Sequence, residues 1–314
     1  MQYFPAGGEF LPSIHAAMLT FADRALITAY PFLTDDTNLP VLDYLLEGMQ
    51  GRPLILDSGI FSMNALKDKG REYSKEEVIA YCKKYIKLIK DYKFTGLIID
   101  VDCHELCPNW IEVLYTCREM LYAEFGNRLI VTWHESGTIK DWEMVTKGYE
   151  RFATNSWDLA NLSKKMEAQT GRKYTKADVV KVLHKRASVN IDEHHFHILG
   201  ATGEEYFSWE NNFSCDSTTW SMIVRFGRSF PYSNFAVTWW RKKEVRAPKA
   251  VLDIVDAKRD ELYRNFEKSP VAVKKQGHNP NPDFTYALAC SLVASQLYAE
   301  SISKKYKFNN PIMI

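Results

Sequence analysis

Acidic residues close three short strand-like runs in this 314-residue chain. Asp57 follows Leu54-Ile55-Leu56, Asp100 and Asp102 follow Leu97-Ile98-Ile99, and Asp216 follows Phe213-Ser214-Cys215. His134 ends a comparable run, Leu129 to Trp133. Carboxylates gathered on one rim repel each other, and burial raises some of their pKa values. Such a rim suits chemistry in which one carboxylate attacks and another moves a proton. Retaining glycosidases work this way, with two carboxyl groups about 5 Å apart. A divalent metal is the competing use of an Asp-rich rim. In Asp57-Ser58-Gly59-Ile60-Phe61, Gly59 lets the backbone approach a flat ligand and Phe61 is placed to stack on it. The same stretch also reads as an Asx turn, and Asp216 as a helix N-cap before Ser217-Thr218-Thr219.

The elements that must position these residues alternate. Apolar runs at 24–30, 54–57, 96–102, 128–133, 149–154, 195–200, 211–216 and 235–240 read as strands, most of them buried in a parallel sheet. A helix over 74–92 starts at the capping box Ser74…Glu77 and repeats Val78, Ile79, Cys82, Tyr85, Ile86 and Ile89 at helical spacing. Another spans 108–125 and stops at Gly126-Asn127. Residues 158–192 read as a helical insertion, and 241–314 as basic and helical C-terminal elements. About eight alternations predict an α/β fold, a single irregular (β/α)8 TIM-type barrel over 1–314. No Gly-x-Gly-x-x-Gly follows a strand and no Walker-type loop is present, which removes support for nucleotide-cofactor folds. The active site of such a barrel lies at the C-terminal strand ends. That rule collects Asp57-Ser58-Gly59, Asp100, Asp102, His134, Leu199-Gly200 and Asp216.

Composition sets the outer bounds. A hydrophobic share of 46% with 25% charged residues is that of a globular chain. No 18-residue apolar run exists and Met1 to Phe10 has no signal-peptide pattern, so no membrane partner is expected. Six scattered cysteines predict reduced thiols and a cytoplasmic setting. A net charge of +1 leaves nucleic-acid binding to local patches. Trp239-Trp240-Arg241-Lys242-Lys243 joins stacking surfaces to cations, which suits single strands or extruded bases. Cys103-His104-x-x-Cys107 and His194-His195-Phe196-His197 have zinc-like spacing, but no second half-site follows. Packing cysteines and no metal are therefore expected.

Four motifs in order resemble the tRNA-guanine transglycosylases. They are Asp57-Ser58-Gly59-x-Phe61, the Asp after an apolar strand at Asp102, His195-Phe196-His197-Ile198-Leu199-Gly200, and Phe213-Ser214-Cys215-Asp216-Ser217. Together they cover roughly residues 50 to 220. The family fold is an irregular (β/α)8 barrel. The resemblance implies that Asp216 attacks C1′ of a guanosine nucleotide and releases guanine, and that Asp57 is the general acid/base. It implies that Ser58 and Phe61 hold and stack the purine, that Asp102 reads its N–H groups, and that Leu199 and Gly200 line the pocket. His134 stands where the family has a base-binding glutamine. The incoming base would be a 7-deazaguanine such as preQ0. Members acting on tRNA bear a zinc in a Cys-x-Cys-x-x-Cys plus His arrangement after the nucleophile, whereas only Cys290 follows Cys215 here. The Gly-Gly that supplies backbone contacts to the base is also replaced, by Phe152-Ala153-Thr154-Asn155. These departures are closer to the branch, found in phages and DNA-modification clusters, that inserts 7-deazaguanines into DNA. DNA is thus the expected polymer, with no cofactor; a homodimer or a duplex-opening helper protein is left open. The rival readings are the same exchange on tRNA, a metal-dependent Asp-rich barrel hydrolase, and a non-catalytic nucleic-acid-binding barrel.

Overall fold

The structure, a computed structural model, describes residues 2–7, 11–135, 139–188, 195–201, 203–204, 212–223, 234–240, 244–271 and 282–305. Its centre is one eight-stranded, all-parallel sheet: β1 (Gln2–Pro5), β2 (Ala25–Thr28), β3 (Leu54–Asp57), β4 (Leu97–Ile99), β5 (Leu129–Thr132), β6 (Arg151–Asn155), β7 (His195–Leu199) and β8 (Asn212–Ser217). The order runs β1-β8-β7-β6-β5-β4-β3-β2, and a bridge from Ala6 to Leu26 brings the two edges together. The result is a nearly closed (β/α)8 barrel of the expected class.

Helices cover the outside: α1 (Pro12–Phe21), α2 (Tyr30–Thr34), α3 (Leu39–Gly48), α4 (Ile60–Lys67), α5 (Lys75–Asp91), α6 (Trp110–Phe125), α7 (Ile139–Gly148), α8 (Ser156–Thr170) and α9 (Lys176–Arg186). The Ser74–Glu77 capping box opens α5 as predicted. A short antiparallel pair, β9 (Thr238–Trp240) and β10 (Glu244–Arg246), precedes α10 (Lys249–Ala257), α11 (Arg259–Lys268) and α12 (Pro282–Lys305). The last helix lies against α1, where Ser13 and Thr285 share a buried hydrogen bond of 2.8 Å. No described helix is long and apolar enough to cross a membrane.

Alternation along each strand divides the core in two. Phe4, Leu26, Ile55, Leu97, Ile99, Ile130 and Ala153 fill the barrel interior. Tyr3, Ile27, Leu54, Leu56, Ile98, Val131, Phe152, Phe196, Ile198 and Cys215 face the helices. The same parity turns Thr28, Asp57, Asn155, His197, Leu199 and Asp216 inward.

Two expectations change. The eighth barrel strand is Gln2–Pro5, not 235–240, whose strand Thr238–Trp240 pairs outside the barrel. Four residues ending in proline suffice because β1 has one full neighbour, β8, and the ladder passes Pro5 through Ala6 N, which donates to Ser217 O at 3.0 Å. The described part of 158–192, up to residue 188, is not an insertion: α8 begins at Ser156, and α8 with α9 lies in the connection from β6 to β7, while 189–192 fall outside the described residues.

Candidate active site

The C-terminal mouth of the barrel holds Asp57 from β3, Asp102 beyond β4, His134 beyond β5, Asn155 at the end of β6, Asp158 in α8, Gly200 after β7 and Asp216 in β8. The pleat and the common strand direction bring Asp57 and Asp216 to one mouth from distant parts of the chain.

Asp216 is held from one side. Its Oδ1 accepts a hydrogen bond from Gly200 N (3.2 Å) and meets His197 Nε2 at 3.2 Å. His197 is fully buried, and its Nδ1 lies 2.7 Å from Ser214 Oγ. Among the described residues Oδ2 of Asp216 has no hydrogen-bond partner. A carboxylate locked through one oxygen and bare at the other is prepared to attack an electrophile.

Asp57 is oriented by Thr28, whose hydroxyl donates to its Oδ2 at 3.2 Å. Gly59 makes the following turn. Its φ is +80°, and a Cβ there would stand 2.4 Å from Tyr30 Cβ and 2.8 Å from Thr28 Oγ1. Gly59→Ala is therefore expected to cost about 1–3 kcal/mol and to push Thr28 off Asp57. Gly70, at φ +92° with open space around it, is the control for strain alone. Denaturant unfolding should show a clearly larger loss for Gly59→Ala than for Gly70→Ala.

Asp102, His134 and Asp158 form a bridge across three strand ends. His134 Nε2 contacts Asp102 Oδ2, and His134 Nδ1 lies 2.7 Å from Asp158 Oδ2. Asp158 is fixed in turn by Asn155, the N-cap of α8. Asn155 Oδ1 accepts from Asp158 N, and Asn155 Nδ2 donates to Asp158 Oδ2, both at 2.7 Å. The other oxygen of Asp102, Oδ1, is buried and has no hydrogen-bond partner among the described residues. Burial alone would lower the His134 pKa, but the charge and hydrogen bonds of Asp102 and then Asp158 raise it to about 10. Asp102 moves down, because His134 outweighs the burial that pushes it up. His104 stacks on His134 at 4.3 Å; burial and the neighbouring His134 charge lower its pKa.

This bridge makes stability pH-dependent. The His134 pKa is raised from 6.5 in the unfolded chain to about 10, so its contribution is complete below 6.5 and lost as pH climbs toward 10. The Asp102 pKa is depressed, so its contribution is present above 3.8 and lost as pH falls through the folded value. The melting-temperature gap between wild type and His134→Gln should therefore narrow steadily from pH 6.5 to about 10.

A buried pair supports the rim from outside. Asp100 accepts from Arg118 Nε at 2.7 Å and from Thr132 N at 3.1 Å, while Arg118 Nη2 donates to Thr132 O. Ser58 Oγ donates to Asp100 O at 2.7 Å.

No protein-family model matches this sequence, and no curated protein matches it.

Several sequence expectations are placed differently. Ser58 is buried, and its hydroxyl is committed to Asp100 O rather than offered to a ligand. Both nitrogens of His134 are committed to carboxylates, so it presents none to a base. The N–H of Gly200 serves Asp216, while Leu199 packs on the interior cluster as an apolar wall. Trp239 is buried against Phe284 (ring centroids 5.3 Å) and is no stacking platform. The side chain of Trp240, and Arg241, Lys242 and Lys243, lie outside the described residues. Phe61, by contrast, is 84% exposed at the start of α4. Cys103 and Cys107 are buried, and no described group of His, Cys, Asp or Glu is placed to hold a metal ion.

Two participants were not singled out from the sequence, and His197 was read there only within a zinc-like run and a family-like segment, although its alternation with Ile198 turns it inward. Asp158 had a signal in Asn155-Ser156-Trp157-Asp158, a capping pattern directly after a strand. Trp157, 73% exposed beside it, is a second aromatic side chain at the mouth.

Proposed function

We propose that this chain is a guanine-exchange transglycosylase acting on a polynucleotide, with DNA the favoured polymer and a 7-deazaguanine the incoming base. The observation that carries this reading is the asymmetry of Asp216 on the inner wall of the barrel mouth, pinned through Oδ1 while Oδ2 has no hydrogen-bond partner among the described residues. Asp216 Oδ2 forms a bond to C1′ while the C1′–N9 bond breaks and its electron pair leaves with guanine. Asp57, entering as the acid, gives the departing base its proton. As a carboxylate it then takes the N9 proton of the incoming 7-deazaguanine, whose nitrogen displaces Asp216 and restores the glycosidic bond. The buried, unpartnered Oδ1 of Asp102 suits the N–H edge of the purine.

Support for a polymer comes from Phe61 and Trp157, two exposed rings at the mouth where extruded bases can stack. Support for DNA over tRNA comes from the cysteine pattern: only Cys290 follows the nucleophile, and it is buried. All six cysteines are free thiols, which agrees with the reducing cytoplasm.

Labelled guanine incubated with the protein and either duplex DNA or tRNA tests the reading. Uptake of label into DNA is the expected result. Uptake into tRNA alone would move the substrate, and uptake into neither would end the proposal.

A further inference from the structure

The bridge of Asp102, His134 and Asp158 is more than the exchange chemistry of Asp57 and Asp216 requires. A residue that only recognised the base would offer it a ring nitrogen, yet His134 gives one nitrogen to each carboxylate. Two carboxylates flanking one imidazole are satisfied without a further proton only when the ring is an imidazolium that donates at both positions. Among the described residues, the other groups near the ring make no hydrogen bond to it. His104 stacks on it from the same loop as Asp102, and its neutral form is favoured. Arg118 of α6, which lines a cavity of about 130 Å³ beside His134, pairs with Asp100, and its charge adds to that of His134 in lowering the Asp102 pKa. Asp141 of α7, which also lines that cavity, accepts from Tyr115 at 3.2 Å.

We infer that Asp158 is a positioning residue for purine selection: acting through His134, it locks Asp102 as a proton-free acceptor whose buried Oδ1 admits bases with a donor edge and rejects those with an acceptor there. This rests on the guanine reading above. The order of connection is fixed by the fold. Asn155 caps α8 and grips Asp158, Asp158 holds His134 Nδ1, and His134 fills Oδ2 of Asp102. Asp102 Oδ1 alone is left. A carboxylate oxygen with no proton can only accept. Guanine and 7-deazaguanines present adjacent N1–H and amino donors, whereas adenine presents a lone pair at N1. A buried acceptor facing a lone pair is left unpaired, the arrangement that yields strong discrimination.

Two readouts on Asp158→Asn test this, with Asp158→Ser in reserve should the first variant fail to fold. NMR of protein labelled with ¹⁵N-histidine should show His134 keeping both ring protons from about pH 6 to about pH 8.5 in the wild type and titrating within that window in the variant. Calorimetry with free guanine and adenine should show a wild-type preference for guanine that is flat over the same range. In the variant, guanine affinity should fall roughly tenfold, and further as pH rises. A merely structural Asp158 would leave the preference and its pH profile unmoved in folded variant protein, and that result overturns the inference alone. A wild-type His134 that titrates near its ordinary value overturns it as well. Wild-type protein that binds no purine removes the guanine reading, and this inference with it.

Discussion

Asp216→Asn should abolish base exchange, by roughly ten-thousandfold or more, while the folded barrel and the binding of free guanine survive. The substitution is chosen for what it keeps. An amide oxygen at Oδ1 still accepts from Gly200 N, and His197 can meet either amide atom by changing tautomer. What is lost is the negative charge at Oδ2, and with it the ability to form an ester to C1′. No covalent protein–polymer adduct should then be trapped on a denaturing gel. Asp57→Ala should give a different signature. Its exchange rate should fall about a hundredfold to ten-thousandfold because proton transfer is lost, with the nucleophile intact. If Asp216→Asn exchanged labelled guanine at the wild-type rate, the attacking group would have to be sought elsewhere on the rim.

How far this site could be foreseen depends on where its information sits in the chain. The barrel was legible because β3, β4 and β5 are uninterrupted apolar runs, buried on both faces by helices outside and side chains within. Asp57 was legible because it ends such a run and is followed by a glycine whose positive φ the turn requires. β1 was not: Tyr3, Phe4 and Pro5 show no pattern longer than two alternations, and their strand character comes from β8, more than 200 residues away. Trp239 misled because aromatic and basic residues in one run carry no mark of which face is covered, and Phe284, which covers it, lies in another element. Ser58 misled in a related way. Its neighbours face the mouth, but its own side chain turns to the carbonyl of Asp100 on the next strand. The bridge through His134 is a product of three strand ends, so each residue taken singly looked like a cap or a base contact. Pairwise chemistry across strands is therefore what the fold adds to the motifs.

The largest effect on stability is expected at Arg118, which touches no part of the proposed chemistry. Arg118→Leu should cost about 3–5 kcal/mol, because it leaves Asp100 charged, fully buried and without its counter-ion. Burial already pushes Asp100 above the ordinary carboxylate value, with Arg118 opposing it. Without Arg118 the carboxyl would take up a proton more readily, so its folded pKa rises further above the unfolded one. A raised carboxyl pKa favours the folded state only while the group is protonated. The deficit of Arg118→Leu should thus be full at neutral pH and shrink as pH falls toward about 4. Asp100→Leu combined with Arg118→Leu should recover much of the loss, since the stranded charge is gone. Recovery will be incomplete, because Thr132 N and Thr132 O lose the partners that this pair gave them. The damage should also reach the mouth. Asp100 O anchors Ser58, the neighbour of Asp57, and Asp100 stands two residues before Asp102. Unfolding curves across pH for the single and double variants would separate this account from simple loss of packing. A packing defect would not diminish in acid, and the double variant would then be worse than either single one.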